Sequence, residues 1–338
     1  MKAVGLLQHL PIDHPESLID AQLETPVATG NDLLVEVRAT AVNPVDYKVR
    51  SGGEPEKALR VLGWDASGIV RAVGSSVTLF KPGDAVYYAG SITRPGSNSE
   101  FQLVDERIVG SKPGSLGFAE AAALPLTTLT AWEGLFDRMG ISGTGADAGK
   151  TLLVIGGAGG VGSMAIQLAK RIARLQVIAT ASRPESSRWI TSLGADHVID
   201  HRKDLAAQLT ALGSAEVDYI LCATDSDPYF DKFAAITRPQ GRICLIVSTR
   251  NPVNLTSLMQ KSIAVCWELM FTRPMFNTAD MARQHEILTA AAALVDNATL
   301  RTTLGQHLGK VSAANLKRAH KLLEEGRTIG KLVLEGFD

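Results

Sequence analysis

Cysteine is scarce in this chain: Cys222, Cys244 and Cys266 are the only three in 338 residues. They are too few and too far apart for a disulfide framework or a Cys-x-x-Cys metal knuckle. Each stands in apolar, strand-like surroundings, so buried, inert thiols in a reducing compartment are the expectation. Long apolar runs are missing as well. None approaches the ~18 residues that a membrane span needs. The apolar start after Met1 and Lys2 is broken by Pro11, Asp13 and Glu16, unlike a signal peptide. A cytoplasmic chain with no membrane partner is expected. Neither sign of charge is in excess: 34 Lys plus Arg stand against 35 Asp plus Glu, a net charge of -1. That balance lacks the basic footprint of nucleic-acid binding. Internal repeats and low-complexity tails are also absent.

Apolar residues are plentiful, at 45%, and the length suits about two domains. Up to about residue 109 the chain reads as short strands divided by Gly and Pro. Residues 33–40 alternate, with Val35, Val37 and Ala39 on one face and Glu36 and Arg38 on the other. Residues 68–73, 85–88 and 101–104 look similar. From about residue 120 the period becomes helical, and strand then alternates strictly with helix. Strands are expected at 151–155, 177–179, 197–199, 217–221, 242–247 and 263–267. Helices are expected between them at 163–173, 187–193, 205–212 and 230–237. That order predicts an α/β fold with a parallel, doubly wound Rossmann-type sheet covered on both faces. Two helices follow, one over 279–295 and one from a Ser312 N-cap to Gly326. A last strand at 331–334 suggests a return to the first domain.

The run Gly156-Gly157-Ala158-Gly159-Gly160-Val161-Gly162-Ser163 contains G-x-G-x-x-G at Gly157, Gly159 and Gly162. It leaves an apolar strand and opens an amphipathic helix, the context in which such a turn holds a dinucleotide pyrophosphate. Gly157 suits a tight turn, Gly159 a close approach of the phosphates, and Gly162 close helix–strand packing. The helix N-terminus offers free N–H groups to the anion. An NAD site carries an acid about twenty residues on. Here that place reads Thr180-Ala181-Ser182-Arg183. Arg183, helped by Ser182, can pair with a 2′-phosphate, so the expected cofactor is NADPH. A solvated surface arginine is the plainer alternative. Glu185 is the rival for a ribose, but Ser182-x-x-Glu185 also reads as a capping box with Pro184 in the first turn.

Five ordered segments add a resemblance. They are Asn43-Pro44-Val45-Asp46, the stretch 62–68 with Trp64 and Asp65, Lys81-Pro82-Gly83-Asp84, the stretch 121–132, and the glycine turn. Over essentially its whole length the chain resembles the medium-chain dehydrogenase/reductase superfamily, quinone oxidoreductase branch, and within it the zinc-type alcohol dehydrogenase-like proteins. The resemblance implies a GroES-like, β-rich catalytic domain over 1–125 and 272–338, and a Rossmann NADP-binding domain over 126–271. It further implies an active site between them and a homodimer. Zinc relatives carry Cys, His, Glu and a further Cys or acid at positions where this chain has Asn43, Trp64, Asp65 and no cysteine near 125–128. One carboxylate is not a tetrahedral zinc site, so no metal is expected.

Residue roles follow from the same resemblance. Asn43 is either an N-cap before Pro44 or a contact to the nicotinamide ribose. Asp46 is a charge that suits a helix N-terminus. Tyr47 is a candidate proton donor or a cleft-lining aromatic. Trp64 is a flat wall for a ring substrate or core packing, and Asp65 lies beside it. Thr127 and Thr130 stand against the nicotinamide or merely pack. Ser248 and Phe271 follow strands on the cofactor side. Together these imply hydride transfer from NADPH to a quinone or an α,β-unsaturated carbonyl. A zinc-dependent alcohol dehydrogenase and a non-catalytic NADPH-binding or sensing protein are the alternatives.

Overall fold

The computed structural model describes residues 1–337. The chain forms two compact units: Thr130–Met270, and Met1–Leu129 together with Phe271–Asp338.

In Thr130–Met270, continuous apolar runs become the strands of one sheet. Thr151–Ile155 is buried at every residue, as a strand covered on both faces must be. Counted along the chain, Thr151–Ile155, Gln176–Thr180, His197–Ile199, Val217–Cys222, Thr237–Leu245 and Ala264–Trp267 lie in the order 3-2-1-4-5-6. Every pairing is parallel. Strand order reverses at Thr151–Ile155, so the crevice beyond its C-terminal end is where such a sheet takes a ligand. The helix after it, Gly160–Arg171, is buried all round at its middle, at every residue from Gly162 to Ala169. Lys170 and Arg171 close its last turn, where the helix dipole favours cations.

The fifth strand starts five residues earlier than the pattern suggested, at Thr237 rather than Arg242. Thr237 pairs with Val217, and the chain then bulges before Arg242 meets Tyr219. Gln240 absorbs the bulge at φ +64°. The Pro-Gln-Gly sequence conceals this from a search for alternation.

In the other unit, the long strand Asp32–Val42 is central. It pairs antiparallel with Ala66–Val73, Phe101–Asp105 and Lys331–Glu335. Its first half alternates, with Leu33, Val35 and Val37 buried. From Ala39 to Val42 every residue is buried, Thr40 included. The apolar cluster of Ala39, Ala41, Ala122, Ala123 and Val333 covers that end. The late strand returns as expected, with Val333 opposite Ala41 and Leu332 opposite Val42. This register sets Lys331 beside the helix that begins at Pro44. The Ser312 cap is present too, its side chain accepting from the Asn315 N–H at 3.3 Å.

Candidate functional site

The glycine turn is built as a cradle. Gly156 carries the left-handed conformation, φ +83°, so the tight reversal falls one residue before the motif's first glycine. The helix takes Gly159 as its N-cap and begins at Gly160. A Cβ at Gly162 would lie 2.3 Å from the Gly156 carbonyl oxygen and 2.7 Å from the Gly157 Cα. Only hydrogen fits there. A Cβ at Gly159 would meet nothing nearer than the Gly156 oxygen at 3.6 Å. The space over Gly159 is therefore open, and the first N–H groups of the helix lack intrahelical acceptors. Ala158, Gly160 and Val161 complete the rim, each half-buried. An elongated diphosphate fits this donor set.

Beyond the neighbouring strand Gln176–Thr180 stand Ser182 and Arg183, both half-buried. The expected Ser182–Glu185 box is not formed. Arg183 is the N-cap of the helix Pro184–Leu193, and its N–H donates to Ser186 Oγ at 3.3 Å. The cap sits one residue later because Pro184 occupies the first helical position. Glu185 is thus a first-turn charge. Trp189 Nε1 donates to Ser163 Oγ at 2.8 Å, which ties this helix to the one that starts at the glycine turn. A residue missed in the sequence, Arg202, joins the group. Its Nη2 donates to the Ser182 carbonyl at 2.8 Å, and it pairs with Asp200 at 2.8 Å. The Asp200-His201-Arg202-Lys203 run after the third strand was the available signal. Ser248 is exposed beyond the end of the fifth strand, on the same edge of the sheet. Thr130 is buried in the helix Pro125–Trp132.

The other unit holds a buried polar centre. Lys331 Nζ donates to Asp65 Oδ2 at 2.8 Å, to the Val42 carbonyl at 3.0 Å and to Asn43 Oδ1. Asn43 Nδ2 donates to Asp65 Oδ2 at 2.8 Å and to the Trp64 carbonyl at 3.2 Å. The Leu126 N–H donates to Asp65 Oδ1 at 2.7 Å. Asp46 Oδ2 accepts the Asn43 N–H. Asn43, Asp46, Asp65 and Lys331 are all buried. Burial pushes the Asp65 carboxyl up, and the Lys331 ammonium, the Leu126 amide and the Asn43 amide pull it back. Asp46 is pushed up to about 7, chiefly by burial. The Asn43 and Gly63 amides and the Lys331 ammonium pull it back.

Several roles change in consequence. Asn43 occupies the N-cap position, but its side chain caps nothing. Both ends of its amide are engaged by Asp65, Trp64 and Lys331, while Asp46 reaches back to the Asn43 N–H instead. Asp65 has both oxygens committed to protein donors, which makes it a positioning residue rather than one that touches substrate. Trp64 is 1% exposed, donates Nε1 to the Ser91 carbonyl at 3.1 Å, and meets Phe271 edge-on at 6.1 Å. Packing thus holds both rings against each other. Thr127 is buried and donates to the Leu124 carbonyl at 3.1 Å, a bond to the residue just before its helix. Tyr47 is half-buried on the helix Pro44–Ser51.

Zinc does not fit this centre. Its side chains are an amide, two carboxyls and an ammonium, with no thiol or imidazole. The lysine ammonium lies against Asn43 Oδ1 and Asp65 Oδ2, so the anionic niche already has its cation.

Family comparison agrees with this architecture. Residues 29–133 match the alcohol dehydrogenase GroES-like domain, and residues 193–334 match the zinc-binding dehydrogenase domain. A zinc-type alcohol dehydrogenase-like protein of Staphylococcus aureus (strain MSSA476) is 42% identical over 99% of both chains. The chain belongs to the zinc-type alcohol dehydrogenase-like proteins of the medium-chain dehydrogenase/reductase superfamily. It thus combines a GroES-like β domain with a Rossmann domain. A solved structure from Rhizobium etli CFN 42, assigned by name to the zinc-dependent alcohol dehydrogenases, is 52% identical. It covers 100% of this chain and 98% of its own, with a TM-score of 0.96. The quinone oxidoreductase of Escherichia coli, solved in complex with NADPH, is 25% identical. There the coverage is 99% of this chain and 100% of that one, with a TM-score of 0.84. Among the described residues, no group of three or more His, Cys, Asp or Glu side chains could hold the zinc of this zinc-type family's name.

Proposed function

We propose that this chain is an NADPH-dependent reductase that delivers hydride to a quinone or an α,β-unsaturated carbonyl without zinc. The observation that carries the zinc-free reading is the Lys331 ammonium, bonded to Asn43 and Asp65 in the centre where zinc relatives bind their metal. A zinc-dependent alcohol dehydrogenase uses its metal as a Lewis acid on the substrate oxygen, and the side chains of this centre do not form a ligand set for that metal. Quinones and enones dispense with a Lewis acid, because conjugation spreads the incoming charge onto the carbonyl oxygen. Bound NADPH supplies the hydride. The protein's share is to hold it. The open face over Gly159 takes the pyrophosphate, and Ser182, Arg183 and Arg202 take the 2′-phosphate. The likeness to the NADPH complex of the quinone oxidoreductase supports the same cofactor and acceptor class.

Arg183→Ala tests the cofactor assignment. A charge-assisted contact is worth about 1.5–3 kcal/mol, so the KM for NADPH should rise at least about tenfold. The KM for NADH should stay nearly constant, since that cofactor has no 2′-phosphate to lose. Steady-state kinetics with both cofactors decides it, and an equal effect on the two would overturn the assignment.

A further inference from the structure

We propose that Cys244 and Cys266 form a redox-active pair, a modification site at which a hydroperoxide joins the two thiols as a cross-strand disulfide. This inference is independent of the proposed reductase activity. Cys244 lies near the end of the fifth strand of the parallel sheet, and Cys266 lies in the sixth, at the sheet's edge. The two stand directly opposite each other in the register, so their side chains point to the same face. Neighbouring strands run about 4.8 Å apart, inside the roughly 4.4–6.8 Å of Cα separation that a disulfide accepts. Among the described residues, the sixth strand pairs with the fifth alone.

The covering of that face makes the pair reactive. It packs under the π-helical turns Glu133–Arg138. A Cβ at Gly134 would stand 3.4 Å from Cys244 Sγ and 3.9 Å from Glu268 Cβ. Arg138 reaches the same face, with its Nε 2.8 Å from Glu268 Oε2. Cys266 is half-buried, so a small peroxide has access, whereas Cys244 is fully buried. The hydrogen bond between the two thiols and the positive charges of Arg138 and Arg242 draw the Cys266 thiol down against its partial burial, and the same hydrogen bond pushes the Cys244 thiol up. Burial and the adjacent Glu133 push the Glu268 carboxyl up, and the Arg138 guanidinium bonded to it pulls it back. Cys266 is thus the attacking sulfur and Cys244 the resolving one.

The balance closes with hydrogen peroxide as oxidant. The Cys266 thiolate attacks one peroxide oxygen, the O–O bond breaks, and the leaving hydroxide takes the thiol's proton as water. Cys244 then attacks the sulfenic sulfur of Cys266. The S–S bond forms, the S–O bond breaks, and a second water leaves. Two thiols are oxidised and one peroxide is reduced. Cys222 is an internal control. It is buried opposite Ile155 and Leu245, with no cysteine across from it, and burial pushes its thiol up to about 12.

The full chain is exposed to hydrogen peroxide, denatured, alkylated with N-ethylmaleimide and mapped by peptide mass spectrometry. Cys244 and Cys266 should lose alkylation together and appear as one cross-linked peptide. Dithiothreitol should restore both, while Cys222 stays alkylated throughout. In Cys266→Ala, Cys244 should remain alkylated. The proposal is overturned if Cys266 climbs to oxyacids while Cys244 stays fully alkylated. It is equally overturned if neither reacts faster than Cys222, or if Cys244 oxidises without Cys266.

Discussion

Gly159→Ala should fold like the wild type and lose the cofactor, whereas Gly162→Ala should damage the fold itself. The two glycines stand three residues apart in one motif, yet they face different things. The added methyl at position 162 would meet backbone, the Gly156 oxygen at 2.3 Å and the Gly157 Cα at 2.7 Å. Neither is the flexible end of a side chain, so helix and turn must separate. Overpacking of this kind costs about 1–3 kcal/mol. At position 159 the methyl would have only the Gly156 oxygen at 3.6 Å, and the backbone there, φ -72° and ψ 174°, suits alanine. It would stand instead where the pyrophosphate must come. The expected outcome is a small change in Tm and at least a tenfold weaker Kd for NADPH, about 1.4 kcal/mol. Thermal unfolding and fluorescence titration read the two effects separately. Wild-type NADPH affinity in Gly159→Ala would place the pyrophosphate elsewhere.

Lys331→Met should cost about 3–5 kcal/mol of stability near neutral pH, because it strands a buried carboxylate. Asp65 would keep the Leu126 and Asn43 bonds but lose the cation that opposes its burial. Its folded-state pKa then rises further above the unfolded value of 3.8. A carboxyl raised on folding contributes stability that is fully present below the unfolded pKa and is lost as pH rises through the folded one. The deficit of the variant should therefore be small near pH 4 and grow towards pH 8. Adding Asp65→Asn removes the stranded charge and should recover much of the loss. Urea unfolding across that range is the measurement. A deficit independent of pH, or no recovery in the double variant, would show that Lys331 acts by packing alone.

The local parts of this architecture were legible in the sequence, and the long-range parts were not. A strand-to-helix glycine run, continuous apolar strands, the alternation around Val35 and the Ser312 cap are each decided within a few residues. The family could be named from motifs of that length. The centre around Lys331 is different. Its bond to Asp65 spans 266 residues, and no periodicity links the two. Motif positions drew Trp64 and Asp65 towards catalytic roles, but whether a side chain is already engaged depends on its neighbours in space. Arg202 was missed for the same reason, since only the sheet brings it to Ser182. Cys244 and Cys266 read as inert one at a time. Their pairing depends on a strand register that alternation cannot supply.

The central claim is zinc-free hydride transfer from NADPH, and the direct measurement is NADPH oxidation followed by absorbance. Quinones, enones and simple aldehydes are offered in turn, each with and without a metal chelator. The expected result is turnover of a quinone or an enone at a rate the chelator leaves unchanged. Aldehyde turnover that the chelator abolishes would contradict it, and would mean that a metal binds in spite of the lysine already seated between Asn43 and Asp65.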